Sequence, residues 1–225
     1  MTQPKAWDLG DHSSKLPQAT LKDSTEKLIR SLLLNGDMKP GEIYSANNLA
    51  QQLSISNSPV REAMIALSHA GLLQTIKNRG FQVVELTPKD RLEVYEMRLM
   101  VEVEAVHKAA SLRLSDNEAA HLLQLAQESL EIAQNSSGNS IGDYLDADDK
   151  FHTFLVSLIG NRRCSKMVQI LRDQSRVNNN YSHLTDSEEL VQTAREHILI
   201  TNAVLENEPK RAKNLMIDHL EYAKP

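Results

Sequence analysis

At 225 residues the chain is long enough for two domains of ordinary size. Its 40% hydrophobic content, with no apolar run near the roughly 18 residues of a membrane span, sets aside a membrane protein. A first segment carrying Asp8 and Asp11 without an apolar core sets aside a secretory signal, and the single Cys164 excludes an internal disulfide and fits a reducing cytoplasm. The net charge of −5 argues at first against a nucleic-acid partner, but through residue 85 the chain holds 9 basic and 8 acidic residues, against 16 and 22 beyond it. The acidity therefore belongs to the second part, and a near-neutral first part with local cations is compatible with DNA.

Residues 1–19 mix Pro4, Pro17 and charges without periodicity and are expected to form a flexible or loosely packed arm, with Trp7, the only tryptophan, as its candidate anchor. Leu21, Leu28, Ile29, Leu32 and Leu33 make a helical stripe closed by Asn35-Gly36. After the turn Lys39-Pro40-Gly41-Glu42, Ser45 is placed to cap a second helix, Ala46 to Leu53. The run Ser54-Ile55-Ser56-Asn57-Ser58-Pro59 predicts a polar turn, then a third helix with Ser58 as N-cap and Pro59 in its first position. Val60, Ala63, Met64 and Leu67 recur at helical spacing and face a core, which leaves Arg61 in the first turn facing out. A cation there opposes the positive end of the helix dipole, so an external anion explains it better than local stability does. Gly71 is a candidate C-cap, and Leu72 to Ile76 and Phe81 to Val84 read as strands around the cationic tip Lys77-Asn78-Arg79-Gly80. Residues 20–86 thus read as a winged helix-turn-helix of three helices and a small hairpin, with DNA contacts expected from Ser45, Asn47, Ser56, Asn57, Ser58, Arg61, Asn78, Arg79 and Gly80. The alternative for Arg61 and Arg79 is a pair of solvated surface arginines.

Thr87-Pro88 opens a second domain, residues 87–225. A helix from Pro88 to about Leu112 is apolar nearly all round, which predicts burial both in its own domain and against a second subunit. Ser115 caps a helix to about Gln134, and helical patterns return over about Ile141–Ile159, Cys164–Ser182, Ser187–Glu206 and Pro209–Glu221. No strand pattern follows Val84, so the fold class is mainly α, with the winged head followed by an all-α antiparallel bundle.

Asp148 and His152 are four apart and share a helix face. His197 and His219 lie about equally far on either side of the Asn207-Glu208-Pro209 turn, so an antiparallel hairpin brings them level. Three imidazoles and a carboxylate meeting inside a bundle make a site for one divalent ion per subunit, zinc being favoured, with nickel or manganese suiting the same donors. The competing reading is three histidines packed separately; Asp146 and Asp149 compete with Asp148, whose spacing is better. His12, His69, His107, His121 and His183 lack the arrangement. Arg98, on the inner side of a very apolar helix, needs an anion, either Glu102 one turn on or the carboxylate of a bound effector; Arg176 is a second candidate for that clamp.

Ser58-Pro59-Val60-Arg61-Glu62-Ala63, Ala70-Gly71-Leu72-Leu73 and Asn78-Arg79-Gly80 together resemble the GntR family of bacterial transcription regulators over about Thr20 to Leu86. Asn57 departs from it, since the family usually has arginine there. Asp148-Asp149-Lys150-Phe151-His152, Glu196-His197, His219-Leu220 and Gly160-Asn161-Arg162 resemble the FCD effector domain of the FadR-type subfamily. The resemblance implies a cytoplasmic, non-enzymatic homodimer that binds a short palindromic operator in double-stranded DNA, modulated by a small carboxylate or sugar acid at the ion. Two other readings use the same Asp/His site: a hydrolase-like metalloenzyme and a regulator that senses the metal directly. A hydrolase would need an acid or base signature such as His-Glu-x-x-His, which the sequence lacks.

Overall fold

The computed structural model describes residues 21–135, 141–178 and 187–225. The N-terminal arm, His12, His183 and the Ser136–Ser140 connection lie outside the described residues.

The head is built from α1 (Leu21–Leu34), β1 (Ile43–Tyr44), α2 (Ala46–Gln52), α3 (Asn57–His69), β2 (Leu73–Ile76) and β3 (Gly80–Val83). Helix α1 ends at Gly36, whose φ of 77° reverses the chain. Ser45 caps α2 by accepting from the Asn48 N–H. The start of α3 differs from expectation: its N-cap is Ser56, Asn57 is its first residue, and Pro59 sits third. A proline costs nothing there, because the first-turn N–H groups have no partner inside the helix. The sequence signal marked the right turn but misplaced the boundary by two residues. The hairpin is joined by a strand the sequence reading missed, since β1 pairs antiparallel with β3 to give a sheet ordered β1-β3-β2. Two residues are too few to show an alternating pattern. Ile29, Leu33, Val60, Met64, Leu67, Leu72, Phe81 and Val83 form the head's core.

The second domain begins with α4 (Pro88–Arg98), capped by a reciprocal Thr87–Asp90 box. It runs through a π-helical turn, Leu99–Val103, into α5 (Glu104–Ala109). Helices α6 (Asp116–Gln134), α7 (Ile141–Ser157), α8 (Arg162–Val177), α9 (Ser187–Leu205) and α10 (Pro209–Leu220) complete a bundle closed by a short 3-10 turn, Glu221–Ala223. Val106, Leu122, Ala126, Phe151, Leu155, Ala194, Ile200, Met216 and Leu220 fill its core. Leu92, Met97 and Met100 stay exposed on the outer side of the α4 segment, while Val94, Tyr95, Arg98, Glu102 and Val103 face inward.

The head rests on the last turns of α8. Val177 is packed into the head's own core, and Asn178 Oδ1 accepts from the Leu86 N–H at 2.7 Å.

Candidate metal centre and nucleic-acid interface

Inside the bundle, α7 supplies Asp148 and His152, α9 supplies His197, and α10 supplies His219. All four side chains are essentially sealed from solvent, and one ligand atom from each lies within 4.8 Å of the others. The expected levelling of His197 and His219 across the α9–α10 hairpin is what the fold delivers. Asp149 and Asp146 are turned elsewhere, to Arg172 and Arg176.

Two of the imidazoles are hydrogen-bonded through Nδ1 to a second residue, and the third, His152, lies against Glu102 without such a bond. His152 Nδ1 lies 2.7 Å from Glu102 Oε2, and His219 Nδ1 lies 2.9 Å from Glu196 Oε2. An ionised carboxylate only accepts, so the His219 ring carries its proton on Nδ1. Ser129 Oγ donates its one proton to the Ala126 carbonyl at 2.8 Å, and so it must accept from His197 Nδ1, 2.9 Å away. The Nε2 atoms of His197 and His219 therefore present lone pairs inward. His152 Nε2 and His219 Nε2 face each other at 3.0 Å, while His197 Nε2 lies 3.3 Å from Asp148 Oδ1 without forming a hydrogen bond. Ring nitrogens and a carboxylate thus converge in an enclosed space, with Arg172 as the cation already paired to Asp148. The donor set fits a divalent ion, with the Nδ1 of His197 and of His219 held in the manner usual for metal ligands.

The electrostatics agree. Burial lowers the His197 pKa to about 4 and takes that of His219 well below its usual range, the other histidines adding to the second shift. Both are neutral, as ligands must be. Burial works against ionised Asp148 and Glu102, but arginines outweigh it: Arg172 chiefly for Asp148, and Arg98 with Arg172 for Glu102.

Arg98 is fully enclosed, with Nε 2.7 Å from Glu102 Oε1, so the internal partner offered by the sequence is present and brings the guanidinium beside His152. The π-helical turn carries Glu102, the residue both groups share. Arg176 is placed differently. It meets Asp146 at 2.5 Å and donates to the Leu34 carbonyl at 3.2 Å, at the junction of head and bundle rather than among the four ligands. The sequence reading missed Arg172, which is buried and pairs with Asp148, with Asp149 at 2.8 Å and with Glu102 at 3.3 Å. Its signal was present: between buried Val168 and Ser175, it lies on the inner face of an amphipathic helix, as Arg98 does on α4.

On the head, a concavity of about 560 Å³ is lined by Ser45, Asn47, Asn57, Arg61, Asn78, Arg79 and Gly80, among others. Arg61 and Arg79 are exposed, and the Asn57 side-chain amide donates to Asn47, joining the starts of α2 and α3. Ser56 and Ser58 lie just outside, Ser58 donating to Glu62 at 2.9 Å. Asn78 at φ 60° and Gly80 at φ 128° turn the wing tip.

Residues 21–83 match the family of bacterial regulatory proteins named gntR, and residues 93–222 match the FCD domain. The chain belongs to the GntR family and carries an FCD domain. It is 29% identical over 196 residues to the uncharacterized HTH-type transcriptional regulator YdhC of Bacillus subtilis, covering 86% of this chain and 85% of that one. It is also 29% identical over 184 residues to the Nta operon transcriptional regulator of Aminobacter aminovorans, covering 81% and 83%. The solved structure of E. coli McbR/YncC shares the fold, with a TM-score of 0.80 at 20% identity over 91% of this chain and 95% of that one. This GntR-family chain is thus a transcriptional regulator rather than an enzyme. No helix among its described residues is long and apolar enough to cross a membrane.

Proposed function

We propose that this regulator binds a short palindromic operator as a cytoplasmic homodimer, and that a small carboxylate or sugar acid bound at one divalent ion per subunit modulates that binding. The observation that carries the reading is the convergence of one ligand atom from each of Asp148, His152, His197 and His219 within 4.8 Å of one another in the bundle interior. Asp148, His152, His197 and His219 would hold the ion, zinc being favoured, with nickel or manganese suiting the same nitrogen and oxygen donors. Bound there, the ion supplies a Lewis-acid position for a carboxylate oxygen. Arg98, enclosed beside the site, is the side chain to draw an effector carboxylate toward it.

On the head, Arg61 at the start of α3 reads base edges in the major groove, and Arg79 on the wing follows phosphates or the minor groove. Asn57 and Asn47, bonded to each other, take the place of the more usual arginine at the helix start.

The near-complete enclosure of all four ligands favours one further reading, in which the ion itself is the signal. Titrating operator DNA with metal-loaded protein, with and without a panel of small carboxylates, separates the two. A carboxylate-dependent change in affinity is the expected result; a change on metal addition alone, indifferent to every acid, would replace the effector with the ion.

A further inference from the structure

We infer that the last turns of α8, Arg172 to Asn178, couple the bundle site to the recognition helix, with Arg172 as the positioning residue at the centre and Gln174 as the contact that reaches α3. The inference rests on the proposed ion-binding reading and assigns its output path.

Consecutive side chains on this stretch serve two domains. Arg172 is held by Asp148 and Asp149 of α7 and by Glu102 of the π-helical turn. Next to it, Asp173 accepts two hydrogen bonds from Arg30 of α1, at 2.7 and 2.5 Å. Gln174 Nε2 then donates at 2.9 Å to the Ala70 carbonyl, which belongs to the C-cap of α3. The fit there is close: a Cβ added at Gly71 would stand 2.5 Å from Gln174 Nε2. From a guanidinium bound to a ligand carboxylate to the end of the DNA-reading helix is two residues of one helix, about 3 Å of axial rise.

The chemistry makes this path responsive. Arg172 is sealed from water, so its charge is balanced only by the acids around it. A cation or anion arriving at Asp148 changes that balance, and hydration cannot absorb the change. The guanidinium and the turn of α8 that bears it must adjust. The Ala70 carbonyl is one of the α3 C-terminal acceptors without an intrahelical donor, so a shift of Gln174 alters how that end of the recognition helix is held. The competing route is covalent, through residues 84–87 into α4, whose Arg98 also touches Glu102. Replacing Gln174 leaves that linker intact and so tells the two apart.

The test uses full-length protein and zinc or manganese alone, reading amide hydrogen exchange over residues 66–73 alongside ion stoichiometry. Wild type should bind the ion and change exchange in that segment by about fivefold or more, the lower range of ordinary allosteric coupling. Gln174→Ala should bind the ion equally well and lose most of the distant change. Arg172→Lys, keeping the charge, should retain more of it than Arg172→Gln. Failure to bind any ion would overturn the ion-binding reading and this one with it. A bound ion with no change at 66–73, or a full change in Gln174→Ala, would overturn the coupling path alone.

Discussion

The Nε2 atoms of His152 and His219 stand 3.0 Å apart, with the Nδ1 of each ring within 2.9 Å of a carboxylate oxygen. Together with Asp148 and His197 they surround a space that suits a divalent cation. A saturating divalent ion at 100 times its Kd should stabilise the fold by about 2.7 kcal/mol. A differential thermal shift between zinc-loaded and chelator-treated protein checks this, and His219→Ala should abolish most of the difference. An equal shift in the variant would place the bound ion elsewhere.

Acid should weaken the fold in a defined window. An unfolded histidine takes its proton near pH 6.5, whereas burial holds His197 back to about 4, and His219 is displaced the same way. Between those values the unfolded chain binds more protons, so stability is full above about pH 6.5 and falls as pH drops toward 4. Denaturant melts in chelator at stepped pH measure it. His197→Gln should flatten the profile, since an amide does not titrate there.

Arg61→Ala should cost operator binding roughly 1 to 3 kcal/mol if it removes a bidentate base contact. Arg79→Ala should weaken binding with less loss of discrimination and a shallower salt dependence. Gel-shift titrations on operator and scrambled DNA at two salt concentrations resolve the two roles. Unchanged affinity in Arg61→Ala would remove α3 from the groove.

Gly80 takes φ 128°, and a Cβ there would press on the Tyr44 carbonyl, where β3 begins to pair with β1. Gly80→Ala should therefore destabilise the head by about 1 to 3 kcal/mol of backbone strain. Thermal melts should show the loss while ion stoichiometry in the bundle is unchanged.

Leu92, Met97 and Met100 leave an apolar outer face on the α4 segment, Met100 being 67% exposed. If that face joins two subunits, Met100→Glu should shift sedimentation from dimer toward monomer and weaken operator binding, because two half-sites need two heads. A variant that sediments as wild type would locate the interface elsewhere.

Local chemistry was enough to set out the head and the Asp/His cluster. Ser45, Thr87 and Ser115 cap the helices they were expected to cap, because a cap is decided by a residue and the three that follow it. Asp148 and His152 share a face by helix periodicity, and His197 and His219 come level because a hairpin of two helices is nearly a ruler.

Contacts between distant segments lay beyond the sequence. Strand β1 exists only because β3 lies beside it, and the α3 boundary moved because the unpaired N–H groups of a first turn tolerate Pro59 wherever the packing begins the helix. Arg98, Arg172 and Arg176 look alike along the chain, as cations on buried helix faces. The tertiary structure alone assigned Arg98 and Arg172 to the centre and Arg176 to the head junction, because a buried charge is defined by the opposite charge the fold carries to it.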